Sequence, residues 1–276
     1  MRRAPAQPPP SLTGRLTRWL SGLPVAALFA AFLAWFSAWS VFVLVALEHV
    51  VTTGRQREMA SVAGPLMPAI GALFAFLTAF VIATEWTQHR DAERNVGEEA
   101  DAALRFGLTS RWPGFAGAGL RAQLCAYLDS VIADEWPGLG GGNPHPTTTQ
   151  HLAAFERDVR DALASAPLPQ WVASDLLGSA DDVALTRADR IQAARQELPP
   201  ALFVLATLSG IVLNLNAIAL ALRLEGWVGI VIGGLVVVIA LDLALVVAIG
   251  APFRGSLRVD SWPLVHARET IGDSTP

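Results

Sequence analysis

The groups in this chain that could make or break bonds are its carboxylates, five histidines and one thiol, and their spacing is the first test of function. Glu98-Glu99 is a candidate acid–base pair, but inside a charged segment it reads as a solvated helix face. His89-Arg90-Asp91 with Asn95 has the look of a kinase catalytic loop. Its spacing is one residue short, and the chain has neither lysine nor an Asp-Phe-Gly triplet. The lack of lysine also removes a phosphate-loop lysine and Schiff-base chemistry. His49, His89, His145, His151 and His266 are scattered, and no carboxylate and cysteine set completes a zinc site around them. Gly140-Gly141-Gly142 has no phosphate-loop ending. Cys125, the sole cysteine, excludes an intrachain disulfide framework and reads as a small core residue. The expectation is a protein that is not an enzyme, with no catalytic residue, cofactor or metal. A net charge of −4 argues against nucleic acid.

Three polar residues stand apart because their surroundings are apolar: Asn214, Asn216 and Asp242. What they can do depends on the elements that carry them. The chain is 53% hydrophobic and 16% charged, against about a quarter charged in soluble domains. The charge is missing from four long stretches. Residues 23–47 and 64–84 have none, nor do 201–222, and 227–251 has only Asp242. At about 1.5 Å per residue, each run can cross a hydrocarbon core of about 30 Å. A signal peptide also begins basic and then apolar, but its apolar core is about 7–15 residues, so the first run reads as a retained helix.

Arginine placement sets the orientation. Residues 1–22 carry Arg2, Arg3, Arg15 and Arg18 with no acid, and Pro8-Pro9-Pro10 makes their start extended or disordered. Arg90, Arg94 and Arg105 follow the second run, and Arg254, Arg258 and Arg268 follow the fourth. The opposite loops have only Arg55 and Arg57 in one and Arg223 in the other. Both termini and the segment 85–200 are therefore expected in the cytoplasm of a multi-pass cell (inner) membrane protein. Trp19, Trp86 and Trp227 sit at span ends, as an aromatic belt would place them.

The expected fold is all-α, with four transmembrane helices and a cytoplasmic helical domain between helices 2 and 3. Polar residues 48–63 read as a short loop, and Arg223 to Gly226 as a tight turn. Within 85–200, helical spacing marks Leu120 to Ile132, His151 to Ser165 and Asp181 to Leu198. Residues 137–150 read as a flexible loop, and 252–276 as a cytoplasmic tail. The first span carries Ala26, Ala30, Ala34 and Ala38, the second Gly71, Ala75, Ala79 and Ala83, and the fourth Gly229 and Gly233. Small residues every fourth position predict tight packing faces within the bundle.

Three places resemble a bacterial membrane family described as bestrophin-like. The end of the second span reads Thr84-Glu85-Trp86-Thr87-Gln88-His89-Arg90-Asp91, continuing to Glu98-Glu99-Ala100. The entry to the third span reads Arg195-Gln196-Glu197-Leu198-Pro199-Pro200-Ala201-Leu202, and the exit from the fourth Pro252-Phe253-Arg254-Gly255-Ser256-Leu257-Arg258. The likeness covers roughly Pro65 to His266 and implies a four-helix membrane protein. A more distant similarity to true bestrophins implies a pentameric anion channel whose second helix lines the pore. Matching Thr84-Glu85-Trp86 to the family's threonine-arginine-tryptophan places Leu73 and Leu77 at the constriction, with Ala69 a weaker match. Glu85 stands where the channels have a basic residue. The acidic run of their calcium site is absent after Pro252-Phe253, so no metal is carried over.

Two readings of function follow. One is a passive anion channel, a homo-oligomer in the lipid bilayer conducting small anions past Leu73 and Leu77. The other is a non-transporting membrane protein whose helical domain binds a cytosolic partner. The 17 acids against 10 arginines between Thr84 and Pro200 suit the second reading. Asn214 and Asn216 are two apart, so they cannot share one helix face, and interhelical hydrogen bonding is the expected role. Asp242 either joins two helices as a hydrogen-bonded acid or serves an ion or proton path, as in a proton-coupled transporter.

Overall fold

The computed structural model describes residues 19–20, 22–196, 198–221 and 228–273. The arginines at positions 2–18, the turn at 223–226 and Trp227 lie outside the described residues. The helices are α1 (Val25–Val50), α2 (Thr53–Thr109), α3 (Ala118–Ser130), α4 (Pro146–Ser165), α5 (Gln170–Arg195), α6 (Pro200–Ala221), α7 (Val228–Ile249) and α8 (Trp262–Gly272). Among the described residues there is no strand. Four helical stretches, those containing α1, α2, α6 and α7, are long and apolar enough to cross a membrane. The chain forms two compact units, Met1–Thr87 with Glu197–Leu257, and Gln88–Gln196 with Arg258–Pro276.

The first unit packs α1, the first part of α2, α6 and α7 around large side chains. Phe36, Phe74, Leu213, Ile218, Val236 and Ile239 form one buried cluster, and Leu28, Val81, Leu198, Phe203 and Val247 a second. Gly210 of α6 is a point of close approach. A Cβ there would lie 3.1 Å from Ile239 and 3.4 Å from Phe74. Threonine hydroxyls satisfy themselves within their own helix, as a chain in lipid requires: Thr78 donates to the Phe74 carbonyl at 2.8 Å and Thr207 to that of Phe203 at 2.8 Å. Pro65 and Pro68 lie inside α2, and proline is tolerated in such helices because neighbours can satisfy the freed carbonyls.

The expected small-residue packing faces are not used within the chain. Ala26, Ala30, Ala34, Ala38, Ala75, Ala79, Ala83, Gly229 and Gly233 are all exposed, and Gly71 is half-buried. Larger apolar residues fill most of the core instead, and close approach to it comes at Gly210 and at Gly250.

The second unit packs α3 against α4 and α8, and α4 against α5. Phe106 of α2 meets Phe155 of α4 edge-on at 4.8 Å. Gly117, before α3, leaves no room for a side chain, since a Cβ would lie 2.1 Å from the Ser110 carbonyl oxygen. Gly117→Ala should therefore destabilise the full-length protein in detergent by about 1–3 kcal/mol, read from chemical unfolding.

Three expected irregular segments are ordered otherwise. The loop at 48–63 shrinks to Val51 and Thr52, because the stretch holding Arg55, Arg57 and Glu58 has no proline before Pro65 and continues as helix. The 137–150 segment opens with a 3-10 helix, Trp136–Gly141, with Pro137 in its first turn. That helix ends at Gly142 with φ +68, a left-handed conformation that favours glycine. It then gives way to α4 at Pro146. The tail contains α8, which buries Leu264, Ala267 and Ile271 along one face.

Candidate functional site

α2 is 57 residues long, and within the first unit its two sides differ. Phe74, Thr78, Val81 and Glu85 are buried, recurring every three or four residues as one helix face does. The other side is open. Leu73 is 54% exposed and Phe76 69%, with Leu66, Ala69 and Phe80 exposed as well. Leu77 is half-buried and sits on the flank of this ridge. Phe76 and Phe80, which the sequence analysis does not single out, share the open side with Leu73. Positions 66, 69, 73, 76 and 80 alternate steps of three and four, a pattern that would have found them.

The intramembrane polar residues are not gathered into one site. Asn214 is fully buried and donates to Ser40 of α1 at 3.0 Å, while Ser40 also donates to the Phe36 carbonyl at 2.7 Å. Asn216 lines a shallow apolar groove of about 450 Å³ with Met59, Val62, Leu66 and Ala219. Its Oδ1 has no hydrogen-bond partner. Asp242 is half-buried on α7. Among the described residues no three histidine, cysteine or carboxylate side chains converge as a metal site would need.

The second unit holds the densest chemistry. Glu99, read from sequence as solvated, is completely buried, while Glu98 beside it is exposed. Arg190 of α5, also completely buried, donates from Nε to Glu99 at 2.6 Å and from Nη2 to Glu99 at 3.2 Å and Glu135 at 2.9 Å. Arg187, one turn earlier, donates to Glu135 at 2.6 Å and to Thr149 at 3.0 Å. The Tyr127 hydroxyl donates to Glu99 at 2.6 Å. The Arg190 guanidinium also lies over the Trp136 ring, 5.6 Å from its centroid. Glu135 reaches this cluster from a π-helical turn, Val131–Glu135, which follows α3 directly. Nε and Nη2 of Arg190 and Nη2 of Arg187 each meet a carboxylate or hydroxyl oxygen, while the buried Arg190 Nη1 has no hydrogen-bond partner, and the matched bonds clamp α2, the π turn and α5 together. The cluster offers no free nucleophile or acid.

Burial works to raise the Glu135 carboxyl. The hydrogen bond and charge of Arg187, the charge of Arg190 and the His145 amide outweigh it and hold the group below its ordinary 4.5. A depressed folded value means that the stability is present above the unfolded value and is lost as pH falls through the folded one. The second unit should therefore lose helicity below about pH 4.5, measured by circular dichroism of the full-length protein in detergent. Glu135→Gln should flatten that acid limb.

No curated protein matches the chain. Among solved structures, a tryptophan-to-alanine variant of a bacterial bestrophin homologue from Klebsiella pneumoniae is similar at TM-score 0.66. Its identity is 13%, over 90% of this chain and 96% of that one. A proline-to-alanine variant of a membrane protein gives TM-score 0.63 at 14% identity, over the same 90% and 96%. At these identities the likeness is one of fold. The sequence profile of the Bestrophin-like domain matches residues 34–264, and the chain belongs to the bestrophin-like family of membrane proteins.

Proposed function

We propose that the chain is one subunit of a passive anion channel in the cell (inner) membrane. Several copies surround a lumen faced by Leu73 and Leu77 of α2, and both termini and the segment 85–200 lie in the cytoplasm. The observation that carries this reading is the apolar ridge of α2. With one side packed, α2 leaves Leu66, Ala69, Leu73, Phe76 and Phe80 open on the other, the free apolar face that a pore-lining helix needs. Hydrophobic constrictions of this kind gate by dewetting rather than by charge. The exposed alanine faces of α1 and α2 suit close approach of further helices. Asn214 and Ser40 act as an interhelical tie, Asn216 shares its groove with Leu66 of the ridge, and Asp242 lies half-buried on α7.

Purified protein, verified as a folded oligomer, should give single-channel currents in planar bilayers, with reversal potentials that follow the anion gradient. Silence across a range of salts would end the channel reading. Tags at the two termini should report on the same side of the membrane, and opposite sides would overturn the orientation.

A further inference from the structure

The first unit contains a carboxyl that neither the pore nor the packing accounts for. Glu85 is the first residue past the uncharged run 64–84, and its side chain is 1% exposed. Its Oε1 has no hydrogen-bond partner. The other oxygen lies against the last turn of α7, where a Cβ on Gly250 would be 3.4 Å from Glu85 Oε2 and 3.0 Å from Leu198 Cβ. The Val246 carbonyl in that turn accepts from Gly250 at 3.1 Å. A helix C-terminus is the negative end of the helix dipole, so it disfavours a carboxylate and tolerates a neutral acid.

Among the described residues, the surrounding elements bring no compensating charge to Glu85. α1 has no titratable residue before Glu48, which lies near its far end. The described part of the approach to α6, and α6 itself, carry none from Leu198 to Ala221. On α7 the nearest is Asp242, eight residues from Gly250 (250 − 242), which is about 12 Å along a helix. Arg254, beyond α7, is engaged in an interaction of its own. On α2, His89 faces Glu93 at 3.6 Å. Burial pushes the Glu85 carboxyl up to about 7.

We propose that Glu85 is a proton-sensing latch. As the neutral acid it stays packed against Gly250 and Leu198. When its proton passes to water, the carboxylate withdraws to be solvated and frees the last turn of α7 from the start of α6. This requires no ion conduction, so it stands apart from the channel reading. The packed state has the raised value, and so its advantage is full below the ordinary 4.5 and falls as pH climbs to about 7, after which it is constant.

The test is amide hydrogen exchange of the 246–253 segment in the full-length protein in lipid nanodiscs, corrected for intrinsic rates. Protection should fall about tenfold per pH unit between pH 5 and 7 and level off above. Glu85→Gln, which cannot ionise, should stay protected throughout. Gly250→Ala puts a methyl group into the same contact and should already lose protection at pH 5. A flat wild-type profile, an unchanged slope in Glu85→Gln, or full low-pH protection in Gly250→Ala would each overturn the latch. The wild-type profile decides the matter by itself if either variant fails to fold.

Discussion

Truncating Arg190 to alanine should destabilise the second unit by about 3–5 kcal/mol, the range for removing one partner of a fully buried ion pair. The Arg190, Glu99 and Glu135 side chains are all completely inaccessible, and Arg190 is the cation shared by both carboxylates. Its loss leaves Glu99 with the Tyr127 hydroxyl alone, while Glu135 keeps Arg187. Arg190→Lys should rescue little, because a single ammonium cannot reproduce the forked contact to Glu99 together with the bond to Glu135. Tyr127→Phe removes one hydrogen bond to a charged group and should cost about 1.5–3 kcal/mol. Denaturant unfolding of the full-length protein in detergent, followed by circular dichroism, measures all three. A loss under about 1 kcal/mol in Arg190→Ala would mean that this clamp does not hold the unit together.

That cluster shows where sequence reading stops. The spans were legible because lipid imposes a rule on every residue in turn, and about twenty uncharged residues in a row satisfy it. The ion pairs obey no local rule. Glu99 and Arg190 are 91 positions apart, and nothing in either neighbourhood marks them as partners. Glu98 and Glu99 look alike in sequence, yet successive helical residues point about 100° apart, so one meets solvent and the other the interior. α8 was readable: Leu264, Ala267 and Ile271 follow helical spacing, and Pro263 stands in the first turn. Its position at the chain end made a tail the easier reading. The alanine stripes are legible in the sequence, but a stripe does not tell whether the face is covered by its own chain. Here the side of α2 holding Phe74 and Val81 is covered, and the side holding Ala79 and Ala83 is not.

If the protein is the anion channel proposed, charge placed on the open ridge of α2 should reverse its ion preference. Leu73 projects from the exposed side of the span, so in a ring of copies each subunit would contribute one such residue to the lumen. Leu73→Glu would then set a ring of carboxylates in the narrowest part, and acidic rings select cations. The reversal potential in a salt gradient should move from the anion toward the cation limit. Leu73→Ala should instead keep anion preference and raise conductance, since a shorter side chain weakens dewetting. Each ~1.4 kcal/mol taken from that barrier is about tenfold in rate. Leu77→Ala, on the half-buried flank, should act in the same direction and less strongly. The exposed Val62, nearer the start of the helix and on the same side, serves as the comparison, and Val62→Ala should change neither quantity as much. If Leu73→Glu conducts anions as the wild type does, α2 does not face the lumen at this position. The open ridge would then be a surface for lipid or for a neighbouring helix.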